Sequence, residues 1–243
     1  MKSILITGAS GKLGKRIVEL NSKYILLQPS RSELDITNED SVCSYFTKFH
    51  FDGIIHCAAL ARMLDCENNP SLAIKTNTIG TANLVSEVFK RNMQDKLRFI
   101  HISTDGVYQG DNGNYSEIDQ TIPYNIYGWT KLGAESSVNL LPNHCIIRTR
   151  FYDPNEIKFN DYPGDVFTSK LPVDDLVKAI FYLYEHPFIG TVNVGDEKMS
   201  EYDRHKLYQS NIVKSSYEEI QQRTKVKLPR DPSMNVSLWN RLK

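Results

Sequence analysis

The stretch SILITGASGKLGKRIVEL, residues 3–20, decides the fold because it joins a short apolar run to an amphipathic one through three glycines. Gly8, Gly11 and Gly14 directly follow the apolar run and open the amphipathic segment. Glycine permits a tight turn and a close approach of backbone to a pyrophosphate, while a helix N-terminus supplies oriented N–H groups. The stretch therefore predicts a strand, a turn and a helix that hold a dinucleotide through the turn residues Gly8, Ser10, Gly11, Lys12, Leu13 and Gly14.

Similar apolar runs recur along the chain: YILLQ (24–28), GIIHCAA (53–59), LRFIHIST (97–104), CIIRTRF (145–151) and TVNVG (191–195). Continuous runs of this kind are typical of parallel strands that are covered on both faces. The segments between them have helical periodicity, and PVDDLVKAIFYLYEH (172–186) begins with a proline ahead of carboxylates, as helices often do. The alternation predicts an α/β fold, a Rossmann-like doubly wound parallel sheet.

Two regions interrupt this alternation: residues 152–171 are loop-rich with scattered aromatics, and residues 196–243 mix a polar helix-like stretch with a proline-containing tail. Neither is long enough for an independent domain. We predict an NAD(P)-binding Rossmann domain over residues 1–151, to which residues 172–195 return. Residues 152–171 and 196–243 are predicted to form a small C-terminal substrate-binding lobe at the carboxyl edge of the sheet, where ligands of open α/β sheets bind.

The composition argues against several classes of protein. Lys+Arg and Asp+Glu both number 29, so the chain lacks the positive charge expected of a nucleic-acid binder. No apolar run approaches the roughly 20 residues of a membrane span, and the first run is too short for a signal peptide. We therefore expect a cytoplasmic protein with no nucleic-acid or membrane partner. The cysteines show no CxxC spacing, which favours buried free thiols over the alternatives of a metal site or a disulfide: Cys43, Cys57, Cys66 and Cys145.

The residues after the second apolar run bear on the choice of dinucleotide. A carboxylate there would hold the ribose hydroxyls and repel a 2′-phosphate. The chain instead places Arg31 between two hydroxyls, Ser30 and Ser32, a set suited to a phosphate. NADP(H) is therefore preferred over NAD(H), with a solvated Arg31 as the alternative. Asp35 and Ile36 follow and are predicted to line the adenine pocket.

Taken in order, these motifs resemble the extended short-chain dehydrogenase/reductase superfamily, and within it the dTDP-4-dehydrorhamnose reductase family. The matching segments are TGASGKLG (7–14), SELDITNEDSV (32–42), DGIIHCAALARMLDCENNPSLAIKTNTIGTANL (52–84), HISTDGVYQGDNGNYSE (101–117), YGWTK (127–131) and the tail LPRDPSMNVSLWNRLK (228–243). The resemblance is nearly continuous over residues 3–150 and patchy beyond them. It also implies cofactor contacts from the loop after the third strand and from the fourth strand end: Cys57, Ala58, Ala59, Ala61 and Ser103.

The resemblance assigns the chemistry of a ketone reduction. It implies that Tyr127 protonates the nascent alkoxide, and that Lys131 binds the nicotinamide ribose and lowers the tyrosine pKa, which is otherwise near 10. Thr104 is expected to hydrogen-bond the carbonyl oxygen, with a strand-end backbone cap as the alternative. The same spacing recurs at Tyr202 and Lys206, but no glycine turn or strand-end hydroxyl accompanies it, so we assign that pair to a solvated face.

Substrate contacts are expected from Thr104, Asp105, Phe151 and Arg230. Asp105 either orients a sugar hydroxyl or turns the loop, Phe151 packs on the sugar or base, and Arg230 pairs with a nucleotide diphosphate. Related dehydratases place a glutamate after this aspartate, and the reductases usually place an aromatic there. Here the residue is Gly106, which argues against dehydration and leaves space at the site.

The leading interpretation is an NADPH-dependent reductase of a nucleotide-linked 4-keto-6-deoxy sugar, delivering hydride to the C4 ketone in polysaccharide biosynthesis. Two alternatives remain. One is an epimerase that retains NAD. The other is a non-catalytic NADP-binding regulatory subunit, since this reductase group includes the regulatory subunit of methionine adenosyltransferase and Arg62 stands where the reductases usually carry a small residue. A homodimer is the default expectation for such a fold.

Overall fold

A computed structural model describes residues 1–157 and 159–243 of the chain; Lys158, part of the predicted lobe segment 152–171, lies outside the described residues. The described strands are β1 (Ser3–Thr7), β2 (Ile25–Leu27), β3 (Gly53–His56), β4 (Arg98–Ile102), β5 (His144–Thr149), β6 (Phe151–Tyr152), β7 (Asp161–Pro163), β8 (Phe167–Thr168), β9 (Leu171–Pro172), β10 (Gly190–Val194), β11 (Met199–Ser200) and β12 (Val213–Ser215). The α-helices are α1 (Lys12–Leu20), α2 (Glu39–Lys48), α3 (Met63–Asn68), α4 (Pro70–Ala73), α5 (Gly80–Lys90), α6 (Ile126–Val138), α7 (Val173–Glu185), α8 (Glu201–Lys206), α9 (Tyr217–Arg223) and α10 (Ser237–Leu242).

The central sheet has the strand order β10-β5-β4-β3-β1-β2, and every neighbouring pair is parallel. Each of the apolar runs contributes one of these strands, so the predicted doubly wound parallel sheet is confirmed. The order reverses between β1 and β3, which creates a crevice at their carboxyl ends where ligands of such sheets bind. The glycine turn after β1 opens into this crevice.

Neighbouring strand residues face opposite helical layers, which explains why apolar residues do not alternate with exposed polar ones along these runs. Ile4 and Ile6 pack with α1 and α7, whereas Leu5 between them packs with α2 and α5. Both layers therefore bury sheet residues completely. The edge strand β2 differs from the expectation, because its Ile25 is about half exposed.

A π-helical segment, Ile74–Ile79, lies between α4 and α5 and sets the position of Asn77. The buried Asn77 side chain donates to Leu60 O over 3.1 Å and to Thr130 Oγ1 over 2.9 Å, and its Oδ1 accepts from Leu60 N over 2.7 Å. Single-turn π segments of this kind are often found near functional sites. Here the segment ties the loop after β3 to helix α6.

The segments outside the main sheet form small strand pairs: β6 with β9, β7 with β12, and β8 with β11. The last helix, α10, contributes the buried Trp239 to the core formed with α7. Residues 173–194 supply α7 and β10, which belong to the main sheet and its helical layer. The functional division into a Rossmann domain and a substrate lobe stays a prediction.

All four cysteines are free thiols; Cys43 is exposed, contrary to the expectation of burial, whereas Cys66 and Cys145 are buried. Within residues 1–157 and 159–243, no group of three or more histidine, cysteine, aspartate or glutamate side chains is arranged to hold a metal ion. In the same residues, no helix has both the length and the apolar character needed to cross a membrane.

Candidate active site

The glycines let the turn pack tightly against itself and against the loop after β3. Gly8 has a φ of +72°, in the left-handed region that favours glycine. A Cβ atom on Gly8 would lie 2.7 Å from Ala58 Cα, and one on Gly14 would lie 2.3 Å from Gly8 O. Gly11 forms the N-cap of α1. The turn therefore presents backbone amides and a helix N-terminus to the crevice between β1 and β3.

Two adjoining cavities follow this crevice and bring most of the predicted residues together. The Tyr127 cavity, of about 480 Å³, contains the predicted residues Gly8, Gly11, Lys12, Leu13, Gly14, Cys57, Ala59, Ala61, Ser103, Thr104, Tyr127, Lys131 and Phe151. The Arg31 cavity, of about 280 Å³, contains Gly8, Ser10, Gly11, Arg31, Asp35, Ile36, Cys57, Ala58 and Ala59. The shared residues make one continuous cleft that passes over the glycine turn.

Helix α6 brings Tyr127 and Lys131 against the end of β4. The Asn125 side chain caps this helix, accepting from Gly128 N over 2.8 Å. A Cβ on Gly128 would lie 2.2 Å from Gly106 O, so glycine is what allows the helix to approach the loop after β4 so closely. The strand-end residues and the first turn of α6 thereby face one cavity.

Thr104 lines this cavity and also caps the backbone, which was the alternative role. Its Oγ1 accepts from Gly106 N over 3.0 Å and donates to Asp105 Oδ1 over 3.1 Å. A hydroxyl oxygen has two acceptor sites and one proton, so donating to a substrate carbonyl requires the proton to leave Asp105.

The electrostatics of the two helix residues differ. Contrary to the expectation that Lys131 lowers it, the pKa of Tyr127 is raised above its usual 10, by burial and then by the nearby Asp105 carboxylate, which keeps the phenol protonated near neutral pH. Burial lowers the pKa of Lys131 to about 8, and the carboxylate of Glu135 opposes this effect. The Lys131 ammonium lies 3.3 Å from His101 Nε2. Since burial also lowers the pKa of His101, that ring is neutral at pH 7 and can accept the bond.

We expect Lys131→Met to stabilise the protein without ligands at pH 7 by about 1–3 kcal/mol, because a pKa lowered from 10.5 to about 8 reports a costly buried charge. Below pH 8 both the folded and the unfolded chain hold this proton, and the full cost applies. Between pH 8 and 10.5 the unfolded chain binds more protons at this position, so the wild type gains stability as pH rises.

The measurement is urea unfolding of both proteins from pH 7 to pH 10. The advantage of Lys131→Met should shrink across that range. A variant less stable than the wild type at pH 7 would mean that the contact with His101 outweighs the cost of burial.

An ion pair that sequence reasoning did not identify lies beside these residues. Arg150 Nε lies 2.7 Å from Asp105 Oδ2, and Arg150 Nη2 donates to the Tyr124 hydroxyl over 3.2 Å. Burial raises the pKa of Asp105 and Arg150 opposes this. Arg150 directly follows β5, so the rule that ligands meet the carboxyl ends of parallel strands was the available signal.

The space expected beside Gly106 is partly filled. The Tyr124 hydroxyl lies 3.6 Å from the position that a Cβ on Gly106 would take, and Tyr124 itself lines the Tyr127 cavity. Asp105 is buried and held by Arg150, so its carboxylate reaches a substrate only through that pair or through Thr104. An aromatic side chain thus lies beside the glycine, but it comes from another part of the chain.

A second buried network that we did not predict lies beneath Lys131. Ser103 Oγ donates to Glu135 Oε1 over 2.5 Å, and Arg148 Nη2 lies 2.7 Å from Glu135 Oε2. Burial lowers the pKa of Arg148, and Glu135 more than reverses that effect. Ser103, predicted to contact the cofactor, is therefore fixed from below by helix α6.

Of the residues predicted to recognise a 2′-phosphate, Arg31 borders a cavity, whereas Ser30 is bonded to a neighbouring carboxylate. Arg31 is exposed at the rim of the Arg31 cavity, with its Nε 3.7 Å from Asp35 Oδ2. Ser30 Oγ donates to Glu33 Oε2 over 2.8 Å. Lys12 Nζ donates to Glu156 Oε2 over 2.9 Å, which links the glycine turn to the loop after β6.

Arg230 lies outside the two cavities that most of the other predicted residues line. Its guanidinium is exposed, forms an ion pair with Glu218 and stacks on the Tyr217 ring. The second tyrosine–lysine pair lies on α8, where Lys206 is exposed and its ammonium lies over the Tyr202 ring.

Comparison with known proteins gives a family and a fold. A family model described as RmlD substrate binding domain matches residues 1–159. A dTDP-4-dehydrorhamnose reductase from Aggregatibacter actinomycetemcomitans is 36% identical over 154 residues, covering 61% of this chain and 51% of that protein. Methionine adenosyltransferase 2 subunit beta from Bos taurus is 30% identical over 146 residues, covering 56% of this chain and 42% of that protein. The chain thus spans about half the length of the curated relatives it matches.

Among solved structures, the dTDP-4-dehydrorhamnose reductase of Bacillus anthracis str. Ames in complex with NADP superposes with a TM-score of 0.86 at 26% identity. The superposition covers 98% of this chain and 91% of that one. The likeness therefore extends beyond the region matched by sequence, through the segments that follow residue 159.

Proposed function

The chain belongs to the RmlD substrate binding domain family, and from this membership we propose that it is an NADPH-dependent reductase of a nucleotide-linked 4-keto-6-deoxy sugar. The observation that carries the proposal is the meeting of Thr104, Tyr127 and Lys131 in a cavity that adjoins the glycine turn. A hydrogen-bond donor for the substrate carbonyl, a proton donor and a cofactor phosphate site thus share one cleft. The relative from Aggregatibacter actinomycetemcomitans, named a dTDP-4-dehydrorhamnose reductase, supports the substrate class.

The residues present fit NADP(H). Gly8 and Gly14 leave no space for a Cβ, because backbone atoms of the turn and of Ala58 pack there, and the tight turn that they allow lets backbone amides and the start of α1 hold the pyrophosphate. Arg31 and Asp35 border the Arg31 cavity, where the adenosine end of the cofactor would lie. The solved complex of a related reductase with NADP supports the same preference. The bound cofactor supplies the hydride.

The remaining steps fall to the side chains of the Tyr127 cavity. Tyr127, kept protonated by burial, donates its proton to the alkoxide that forms when the ketone accepts the hydride. Thr104 Oγ1 turns its proton from Asp105 to the carbonyl oxygen. Lys131, held on the same face of α6 one turn after Tyr127, binds the nicotinamide ribose through its ammonium. After proton transfer, its positive charge stabilises the tyrosinate.

The test follows the near-ultraviolet absorbance of NADPH with the purified protein and a panel of nucleotide-linked 4-keto-6-deoxy sugars. We expect a sugar-dependent loss of absorbance with at least one member of the panel. NADPH binding without turnover on any member would contradict the reductase.

A second function, a non-catalytic NADP-binding regulatory subunit, is favoured by the likeness to methionine adenosyltransferase 2 subunit beta. Arg62 lies exposed at the start of α3, with its Nε 3.9 Å from Asp65 Oδ2, where a partner protein can reach its guanidinium. This function predicts NADPH binding without sugar turnover, together with a stable complex with a methionine adenosyltransferase catalytic subunit in gel filtration. The homodimer and the cytoplasmic location stay predictions.

A further inference from the structure

We infer that Arg150 is a substrate-binding residue that holds the diphosphate of the nucleotide-linked substrate. This inference rests on the proposed function and assigns the diphosphate to an arginine different from the one that the sequence indicated. Its basis is the position of Arg150 between two cavities, the fixed orientation of its guanidinium and the N–H groups that remain available on it.

Arg150 lies where a long substrate must pass. A third cavity, which we call the lobe cavity, has a volume of about 480 Å³ and shares Arg150 and Phe151 with the Tyr127 cavity. A substrate whose ketone lies at Tyr127 and whose nucleoside lies in the lobe cavity therefore crosses Arg150. In a nucleotide-linked sugar, the group between those two ends is the diphosphate.

The lobe cavity suits a nucleoside because much of its wall is apolar or aromatic: Phe151, Phe159, Tyr162, Val166, Leu228 and Pro229. The other cations on its wall are engaged by carboxylates. Lys170 forms an ion pair with Glu201, and Arg223 Nη1 lies 2.6 Å from Asp161 Oδ2 at the exposed end. Arg150 is also paired, with Asp105, but of these three cations it is the one that lines both the lobe cavity and the Tyr127 cavity.

The guanidinium is oriented before any ligand arrives. Asp105 holds Nε at 2.7 Å, and the Tyr124 hydroxyl accepts from Nη2 over 3.2 Å. Within the part of the chain that the structure describes, Nη1 has no hydrogen-bond partner, and the side chain is 28% exposed. A planar guanidinium fixed on one edge presents its other N–H groups as a fork, the geometry that binds phosphate oxygens.

Arg150 also fits better than Arg230. Arg230 lies outside the three cavities, paired with Glu218 on the surface. Binding a diphosphate at the wall between the Tyr127 and lobe cavities would require Arg230 to leave both Glu218 and the Tyr217 ring. Arg150 requires no such rearrangement.

The experiment measures the affinities of dTDP and UDP for the NADPH-loaded protein by titration calorimetry, and the affinity of NADPH by fluorescence. In Arg150→Met we expect the affinity for at least one diphosphate to fall about 10- to 100-fold, the usual effect of losing charged hydrogen bonds. NADPH affinity should stay within about twofold. If Arg150→Met does not fold, the double variant Asp105→Asn/Arg150→Met, which removes both charges, carries the test.

The control variant is Arg91→Met. Arg91 matches Arg150 closely, with its Nε 2.7 Å from Glu87 Oε1 and a side chain that is also 28% exposed, but it lies on the far end of α5. It should leave the affinities for dTDP and UDP unchanged. Arg230→Met is the competing variant, and a loss of diphosphate affinity there with none in Arg150→Met would overturn the assignment.

The remaining outcomes separate this inference from the proposed function. If the wild type binds dTDP or UDP and Arg150→Met binds both as tightly as the wild type does, the inference alone is overturned. A loss confined to NADPH would assign Arg150 to the cofactor's pyrophosphate and would also overturn it. Wild-type protein that binds NADPH but neither dTDP nor UDP would contradict the nucleotide-linked substrate itself, and with it the proposed function.

Discussion

Tyr127→Phe is expected to lower the turnover number for sugar-dependent NADPH oxidation by about 10²- to 10⁴-fold, the usual contribution of a positioned general acid. The phenol lines the reaction cavity, and burial keeps it protonated until the alkoxide forms. Phenylalanine keeps the ring and removes only the hydroxyl group, and with it the transferable proton. NADPH affinity should change little, since the glycine turn and Lys131 remain in place. Steady-state kinetics with a turned-over sugar and NADPH titration measure the two effects.

The fold should tolerate this change well. Within residues 1–157 and 159–243, no hydrogen-bond partner contacts the Tyr127 hydroxyl. Its removal therefore leaves no buried donor or acceptor without a partner. Tyr202→Phe is the matched control, because it removes a hydroxyl from the other tyrosine that stands four residues before a lysine. That variant should retain full activity. Equal losses in both variants, or near-normal turnover in Tyr127→Phe, would assign the proton to another group.

The sheet and the cofactor crevice were predictable because their signals are local. A parallel strand that is covered on both faces is largely apolar, and each such run in the sequence became a strand. The glycine turn was equally clear, since Gly8 adopts a left-handed φ and a Cβ on Gly14 would collide with backbone. The strand order, with its reversal between β1 and β3, required the structure because pairing joins residues far apart in sequence.

The charged parts of the site were harder to predict, because they depend on pairs of residues that sequence spacing does not connect. Arg150 and Asp105 are 45 residues apart and meet only when β4 and β5 lie side by side. Tyr124 partly fills the space beside Gly106 for the same reason. Arg230 was chosen for its chemistry, but it pairs locally with Glu218. Sequence patterns thus identified the types of functional side chain that are present. They did not show which charged side chains the fold pairs with each other.

Glu135→Leu is expected to lower the free energy of unfolding by about 3–5 kcal/mol, because it leaves Arg148 buried without its carboxylate. The pair is almost fully buried, with side chains 8% and 2% exposed, and its contacts are 2.7 Å and 3.1 Å long. The same change removes the acceptor of the Ser103 hydroxyl and the carboxylate that raises the pKa of Lys131. Equilibrium unfolding in urea measures the loss.

The double variant Glu135→Leu/Arg148→Met tests whether the loss of stability comes from the unpaired Arg148 charge or from the other contacts of Glu135. If the loss comes from the uncompensated guanidinium, removing both charges should restore most of the stability, since apolar replacements of buried ion pairs are often neutral. Glu218→Leu, at an exposed ion pair with Arg230, should change stability by less than about 1 kcal/mol. A double variant as unstable as the single one would instead place the effect at Ser103 and Lys131. In that case Glu135 would stabilise the fold chiefly through Ser103 and Lys131 and only secondarily through Arg148.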